Sequence, residues 1–219
     1  MFIFENREDA GKKLGEYLKE NLEYLGIDVN NALILAIPRG GVPVAYYVSK
    51  ETGIPFSLVI TKKIAMPSDP EAAIGAIAPD GTYLLSTYAY YIPEYQLEEA
   101  KETALKEALK KKEKYLDKEP QIEGKDVIIV DDGIATGYTA MVAGMYAKNK
   151  GAKRVFLAVP VCPEDSIPRV KDIFDDVICL EKVDTPFFAV GAFYRDFHQV
   201  EDEELNEIIR KAKEENLFV

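Results

Sequence analysis

The sequence contains no tryptophan, one histidine and only two cysteines among its 219 residues. Cys162 and Cys179 lie in separate apolar stretches and form no Cys-x-x-Cys motif. A structural zinc site needs about four closely arranged Cys or His ligands, and a disulfide scaffold needs a cysteine-rich chain. We therefore expect neither a zinc site nor a disulfide scaffold.

Long hydrophobic runs are also missing. No apolar run approaches the roughly 18 residues that a membrane span requires, and the opening residues lack the apolar centre of a signal peptide. We expect a cytoplasmic protein with no membrane partner.

Positive charge is scarce as well, with 27 Lys and Arg against 38 Asp and Glu, a net charge of −11. Nucleic-acid binding requires a basic surface, so no nucleic-acid partner is expected. A small phosphorylated ligand remains compatible, because backbone N–H groups and one or two cations can hold a phosphate locally. The 47% hydrophobic content fits one folded domain over residues 1–219.

Short apolar runs alternate along the chain with segments of helical periodicity, which predicts an α/β fold with a doubly wound, mainly parallel sheet flanked by helices. The first two strands are separated by enough residues for a crossover helix, so they should be parallel. The predicted strands are 32–37, 56–60, 127–130, 155–159 and 177–180. The predicted helices are 8–25, 42–50 and 139–150, with others beginning near 164 and 203.

Two further segments lie between the second and third of these strands. Residues 73–86 alternate in polarity on both sides of Asp80-Gly81, which predicts a β-hairpin within a mobile-loop region of about 64–95. Residues 97–116 predict a solvated amphipathic helix, with Glu102/Lys106 and Glu107/Lys111 paired on its exposed face.

The most informative segment is VIIVDDGIATG, residues 127–137. Its strand delivers Asp131 and Asp132 to the edge of the sheet where ligands bind in open α/β folds. The small-residue loop after them turns into a helix, whose positive end and backbone N–H groups suit a phosphate. Ionised carboxylates suit the two donors of a vicinal diol, so the segment describes a sugar-phosphate site.

Other interpretations of the acidic pair remain open at this point. A magnesium site of the receiver or phosphatase kind also uses adjacent aspartates, and a strand end followed by a helix cap is the structural alternative. A receiver domain would carry its acidic pair after the first strand, which disfavours that interpretation here.

A second loop, Pro38-Arg39-Gly40-Gly41, follows the first predicted strand. Its glycines would permit positive φ angles and close backbone approach, and Arg39 would supply positive charge. An ordinary Pro-Gly turn is the alternative.

Together these segments resemble the signature of the type I phosphoribosyltransferases, which bind 5-phosphoribosyl diphosphate (PRPP). The sequence is most similar to the bacterial and archaeal predicted phosphoribosyltransferases of unassigned substrate. The segments that carry this similarity are the opening Phe4–Gly11, the PRGGVPVA stretch Pro38–Ala45, Pro67–Glu71 and the DDGIATG loop.

The resemblance implies a role for each motif. Asp131 and Asp132 would hold the ribose hydroxyls, and Pro38, Arg39, Gly40 and Gly41 would hold the pyrophosphate. The 5′-phosphate would bind the loop of Gly133, Ile134, Ala135, Thr136 and Gly137. Lys62 or Lys63, at the end of the second strand, would neutralise the departing pyrophosphate, and Mg²⁺ would be held mainly by substrate oxygens.

The segment of about 182–199 resembles the hood that covers the base in the purine enzymes. Phe187, Phe193 and Tyr194 would then stack on an aromatic acceptor, or else form core. A metal-facing role for Asp196 is weakly implied, because Arg195 precedes it where the family has leucine.

The implied reaction transfers a 5-phosphoribosyl group from PRPP to a nitrogenous, purine-like small-molecule acceptor. A pyrimidine, another heteroaromatic amide or a non-base acceptor stays open. The alternative is a PRPP-binding regulator without catalysis. Dimers are common in the family, so a homodimer is also an expectation.

Overall fold

The computed structural model describes residues 2–219 and contains two sheets and six α-helices within that range. The strands are β1 (Ala32–Ala36), β2 (Phe56–Leu58), β3 (Lys62–Met66), β4 (Asp69–Ile77), β5 (Tyr83–Leu85), β6 (Asp126–Val130), β7 (Arg154–Pro163) and β8 (Asp176–Val183). The helices are α1 (Arg7–Leu25), α2 (Gly41–Thr52), α3 (Glu94–Tyr115), α4 (Tyr138–Asn149), α5 (Ile167–Val170) and α6 (Asp202–Glu214).

Five strands form the central sheet in the order β2-β1-β6-β7-β8, and every neighbouring pair is parallel. From β1 the chain crosses through α2 to β2 on one side, whereas from β6 it crosses through α4 to β7 on the other. The strand order therefore reverses between β1 and β6, and the loops that follow these two strands diverge to leave a crevice. This confirms the predicted doubly wound parallel sheet.

Apolar side chains alternate between the two faces of this sheet because successive strand residues point to opposite sides. Leu33, Leu35, Val127 and Ile129 pack beneath α4. Ile34, Ala36, Ile128 and Val130 pack on the opposite face, against side chains of α1, α2 and α6. The layers hold the carboxyl ends of β1 and β6 rigidly side by side.

The second sheet is antiparallel, in the order β3-β4-β5, and α3 packs against β3 and β4. Its β4-β5 pair confirms the predicted hairpin, with Gly81 at φ +92° in the turn. The structure adds β3, which was not predicted because only Ile64 of this strand is buried and no alternation of polarity results.

Several predicted boundaries change. The second strand ends at Leu58 rather than at residue 60, β7 extends to Pro163, and the helix predicted near residue 164 is only the four-residue α5 after a 3-10 turn.

The structure also joins Cys162 of β7 to Cys179 of β8 in a disulfide, a pairing that the sequence did not lead us to expect. None of the helices formed by residues 2–219 is both long enough and apolar enough to cross a membrane.

Candidate active site

The two loops singled out in the sequence lie next to each other at the reversal point of the sheet. The Ile37 N–H donates to the Val130 carbonyl oxygen across 3.1 Å, so the loop after β1 continues beside the end of β6. A Cβ atom on Gly41 would lie 2.8 Å from the same Val130 oxygen. Glycine at this position therefore allows the close contact between the two loops.

The positive φ angles expected for Gly40 and Gly41 were wrong. Gly40 has φ −61°, in the right-handed region open to any residue, and Gly41 is not among the residues with positive φ. Glycine is required at position 40 because of the limited space, since a Cβ atom there would lie 2.2 Å from Asp132 Oδ2. The Pro38-Arg39 peptide is cis, and the Arg39 side chain lines the crevice.

The two adjacent aspartates have different surroundings. Asp132 accepts from Arg7 Nε across 3.0 Å, and both side chains are largely buried. Asp131 accepts the Asp132 backbone N–H across 2.8 Å and makes no ion pair within residues 2–219. The two aspartates, expected to be equivalent, therefore differ, because only Asp131 faces the crevice without a partner cation.

Burial governs the ionisation of both carboxyls. It raises the pKa of Asp131 well above the ordinary range, and the charge of Asp132 adds to the increase. Burial also raises the pKa of Asp132, although the guanidinium of Arg7 opposes this increase. Charged or hydrogen-bonding groups of a ligand would therefore interact strongly with Asp131 in this site.

The small-residue loop after the aspartates leads directly into α4. Gly137 has φ +90°, which favours glycine, and its carbonyl oxygen accepts from the Met141 N–H in the first turn of the helix. The Ile134 N–H already donates to the Val161 carbonyl oxygen across 3.2 Å. The loop therefore presents fewer free N–H groups than a fully open phosphate cradle, since that of Ile134 is engaged.

Two cavities meet at the aspartates. The first, here called the basic chamber, has a volume of about 540 Å³ and is lined by Arg39, Lys62, Lys63 and Lys111 together with Arg7. The second, here called the loop chamber, has a volume of about 750 Å³ and is lined by residues 133–137 and Arg169. The residues that line both are Lys63, Asp131, Asp132, Thr139 and Phe197.

Arg169 brings a second cation to the loop chamber. Its guanidinium donates to the Thr136 carbonyl oxygen across 2.8 Å. No local sequence motif marks Arg169, because its contact with the loop depends on the packing of α5 against α4.

The two candidate lysines occupy positions other than those predicted. They begin β3 in the antiparallel sheet rather than end the second strand, which stops at Leu58. Lys62 makes an ion pair with Glu107 across 3.5 Å. Lys63 lines both chambers.

The hood-like segment contributes an aromatic residue that was not predicted. Phe187 is 91% exposed and lines neither chamber, and Phe193 stacks on Phe188 at 5.2 Å. Tyr194 is only 1% exposed, and its hydroxyl donates to the Asp132 carbonyl oxygen across 2.6 Å. Phe197 instead borders both chambers, so the stacking role expected for the other three is not supported by their positions.

The position of Asp196 does not support a metal-facing role. Its carboxylate is exposed, accepts from His198 across 3.0 Å and lines neither chamber. No group of three or more His, Cys, Asp or Glu residues within 2–219 is arranged to hold a metal ion. The described residues therefore do not form a protein cage that fits Mg²⁺.

Two basic residues of the site were also missed, for different reasons. Arg7 lies in the opening segment Phe4–Gly11, which is part of the family resemblance, so the sequence could have indicated this residue. Lys111 is one of six lysines in α3, and the expected Glu107/Lys111 surface pair is wrong because Glu107 pairs with Lys62 instead. Nothing in the local sequence distinguishes Lys111 from its neighbours.

The fold and the paired loops are those of a doubly wound α/β protein with a ligand crevice at the reversal point of its sheet. Residues 4–196 match the phosphoribosyl transferase domain, and the chain belongs to this family. The family expected from the sequence motifs is thereby confirmed.

Individual relatives agree with this assignment. The chain is 36% identical over 220 aligned positions to the Mycobacterium tuberculosis (strain H37Rv) protein named "Putative phosphoribosyl transferase Rv0571c", covering 97% of this chain and 47% of that protein. The chain thus spans about half the length of the curated relatives that it matches over most of its residues. A shorter match, 34% identical over 71 residues and covering 32% of this chain and 34% of the relative, is to uracil phosphoribosyltransferase of Desulfitobacterium hafniense (strain DCB-2).

Among solved structures, the crystal structure of TT1426 from Thermus thermophilus is similar in fold. It superposes with a TM-score of 0.76 at 34% identity and covers 95% of this chain and 97% of that chain. The similarity extends over both sheets, since nearly the whole chain is aligned.

Proposed function

We propose that this domain transfers the 5-phosphoribosyl group of PRPP to a nitrogenous, purine-like acceptor and releases pyrophosphate. The observation that carries the proposal is the meeting of the two chambers at Asp131. One chamber is rich in cations and the other is lined by the small-residue loop at the start of α4. A ligand with anionic groups at both ends and hydroxyls in the middle matches this arrangement.

Each part of PRPP has a counterpart in this arrangement. The pyrophosphate would bind in the basic chamber, near Arg39 and Lys63. The 5′-phosphate would bind the loop of residues 133–137, with Arg169 adding positive charge. The ribose between them would place its hydroxyls against Asp131.

The transfer needs no protein nucleophile. The bond between ribose C1 and the pyrophosphate oxygen breaks, and its electron pair leaves with the pyrophosphate. The lone pair of an acceptor nitrogen forms the new bond to C1, and the proton of that nitrogen passes to solvent. The basic side chains would stabilise the negative charge that grows on the leaving group, and the rigid loops would align the reactants.

We propose that Mg²⁺ binds together with the substrate. The described residues do not form a cage for it, so we propose that it enters with PRPP, held by phosphate and ribose oxygens. The residues of the chain then need only to bind the complex as a whole.

We propose that the acceptor binds near Phe197. This ring borders both chambers and is about one-third exposed, so an aromatic acceptor could contact it beside the ribose. The short match to a uracil phosphoribosyltransferase keeps pyrimidines among the acceptors to be tested. The cytoplasmic location and a homodimer stay predictions.

Calorimetric titration with PRPP and Mg²⁺, followed by assays of pyrophosphate release with a panel of purines and pyrimidines, tests the proposal. We expect PRPP to bind and one base to cause stoichiometric pyrophosphate release. Binding without release on any base would favour the PRPP-binding regulator, and absence of binding would contradict the assignment of both chambers.

A further inference from the structure

Lys111 enters the basic chamber from α3, a helix outside the central sheet. Its ammonium donates to the Thr61 carbonyl oxygen across 3.4 Å, and the side chain is partly buried. This contact turns the lysine inward, whereas the adjacent Lys110 is exposed and lines neither chamber. The geometry makes Lys111 part of the chamber wall.

Charged groups from three other parts of the fold face this ammonium. They are Arg39 from the loop after β1, Lys62 and Lys63 from β3, and Asp131 from the end of β6. The cations therefore outnumber Asp131, which is the chamber carboxylate without an ion pair, since Asp132 is paired with Arg7. Glu107, one turn earlier on α3, is paired with Lys62.

These surroundings disfavour the charged form of Lys111. Burial is the largest cause, the charges of Lys62 and Arg39 add to it, and Asp131 opposes them, so that the pKa of Lys111 falls to about 8. Near neutral pH this lysine is therefore close to its titration range. A polyphosphate beside it would reverse the balance of charge and favour protonation.

We infer that Lys111 is a proton-linked anion-binding residue, which takes up a proton from solvent when a polyphosphate ligand enters the basic chamber and releases it when the ligand leaves. The inference rests on the proposed function for the identity of the ligand, PRPP or pyrophosphate. It adds that binding is coupled to a proton through one residue of α3.

Calorimetry in buffers of different ionisation enthalpy measures the number of protons taken up on binding. The ligands are pyrophosphate and PRPP, each with Mg²⁺, at pH 7, 8 and 9. At pH 8 the wild type should take up about half a proton more than Lys111→Met, since a group with a pKa near 8 is half protonated there. Between pH 7 and pH 9 the affinity of the wild type should fall about tenfold relative to that variant.

Two more variants separate charge from structure. Lys110→Met removes a neighbouring charge from the exposed side of α3 and should keep the proton uptake of the wild type. Lys111→Arg carries a permanent charge, so it should bind pyrophosphate without the extra proton and with no relative loss of affinity at pH 9. This variant also keeps the test valid if Lys111→Met does not fold.

The possible results distinguish the two proposals. Binding with the same proton number in the wild type and in both Lys111 variants would overturn this inference and leave phosphoribosyl transfer standing. Failure of the wild type to bind either ligand would overturn the chamber assignment and the inference together.

Discussion

Arg7 Nε donates to Asp132 Oδ2 across 3.0 Å, although the two residues are 125 positions apart in the chain. The same guanidinium donates to the His198 carbonyl oxygen across 2.6 Å and lies 4.1 Å from the ring centre of Phe197. One side chain at the start of α1 therefore connects the acidic loop to the segment that borders both chambers. Asn6 caps this helix and holds Arg7 in its first turn.

Arg7→Met should destabilise the protein by about 3–5 kcal/mol, because it leaves the buried Asp132 carboxylate without its cation. Urea denaturation measures this change. Asp132→Asn in the Arg7→Met background should recover much of the loss, since the unpaired charge is then removed. Arg195→Met is the matched control and should change stability by less than about 0.5 kcal/mol, because the Arg195–Glu5 pair is exposed. Equal losses for Arg7 and Arg195 would contradict the role given to Arg7.

Gly40→Ala should weaken PRPP binding at least tenfold, a fall of about 1.4 kcal/mol in binding free energy. The added methyl group would overlap Asp132 Oδ2 and displace the carboxylate from Arg7. Titration with PRPP and Mg²⁺ measures the effect. Wild-type affinity in Gly40→Ala would mean that Asp132 can move without consequence for the site.

Asp131→Asn should change affinity and stability in opposite directions. On the proposed ribose assignment, loss of this carboxylate should weaken PRPP binding roughly 10- to 100-fold, the range for a hydrogen bond to a charged group. Asparagine can still accept the Asp132 N–H, so the loop should stay folded. Calorimetric titration tests the first effect, and unchanged affinity would contradict the ribose assignment.

The stability effect of Asp131→Asn follows from the raised pKa of this carboxyl. Because the pKa is higher in the folded than in the unfolded protein, the contribution of Asp131 is most favourable at acidic pH and is lost as pH rises through the folded value. At neutral pH the variant should therefore gain stability, with a rise in Tm of about 2–4 °C for each kcal/mol. A melting series from acidic to neutral pH should show this advantage growing with pH.

His198→Gln should remove a pH-dependent contribution to stability. Hydrogen bonds to Glu204 and then to Asp196 raise the pKa of His198 above its ordinary 6.5. The protonated form is favoured in the folded state, so the contribution is fully present below pH 6.5 and is lost as pH rises through the folded pKa. Since the side chain is half exposed, the effect should stay below about 1 kcal/mol.

Thermal melting of the wild type and His198→Gln across this range measures the difference. We expect the wild type to melt higher at acidic pH and the two proteins to converge at alkaline pH. A constant difference at every pH would show that the histidine contributes by packing alone.

The central sheet and the loops that follow β1 and β6 could be predicted because their signals are local. Val127–Val130 is a run of β-branched residues, and the turn chemistry of Asp80-Gly81 is strong enough to define a hairpin without any long-range contact. By contrast, β3 escaped prediction because Ile64 alone of its residues is buried against neighbouring elements. Its burial is a property of the assembled sheet.

The parallel α/β architecture, the family and the two motifs after β1 and β6 could be predicted from the sequence alone, since hydrophobic periodicity and glycine-rich loops act over a few residues. By contrast, long-range packing places Arg7 against Asp132 and leaves Asp131 facing the crevice without a cation. Of the six lysines of α3, it places Lys111 in the wall of the basic chamber, and of the aromatic residues in the hood-like segment it places Phe197 there. These positions depend on which face of one element packs over the edge of another. Burial and neighbouring charge then give residues of the same type different chemistry.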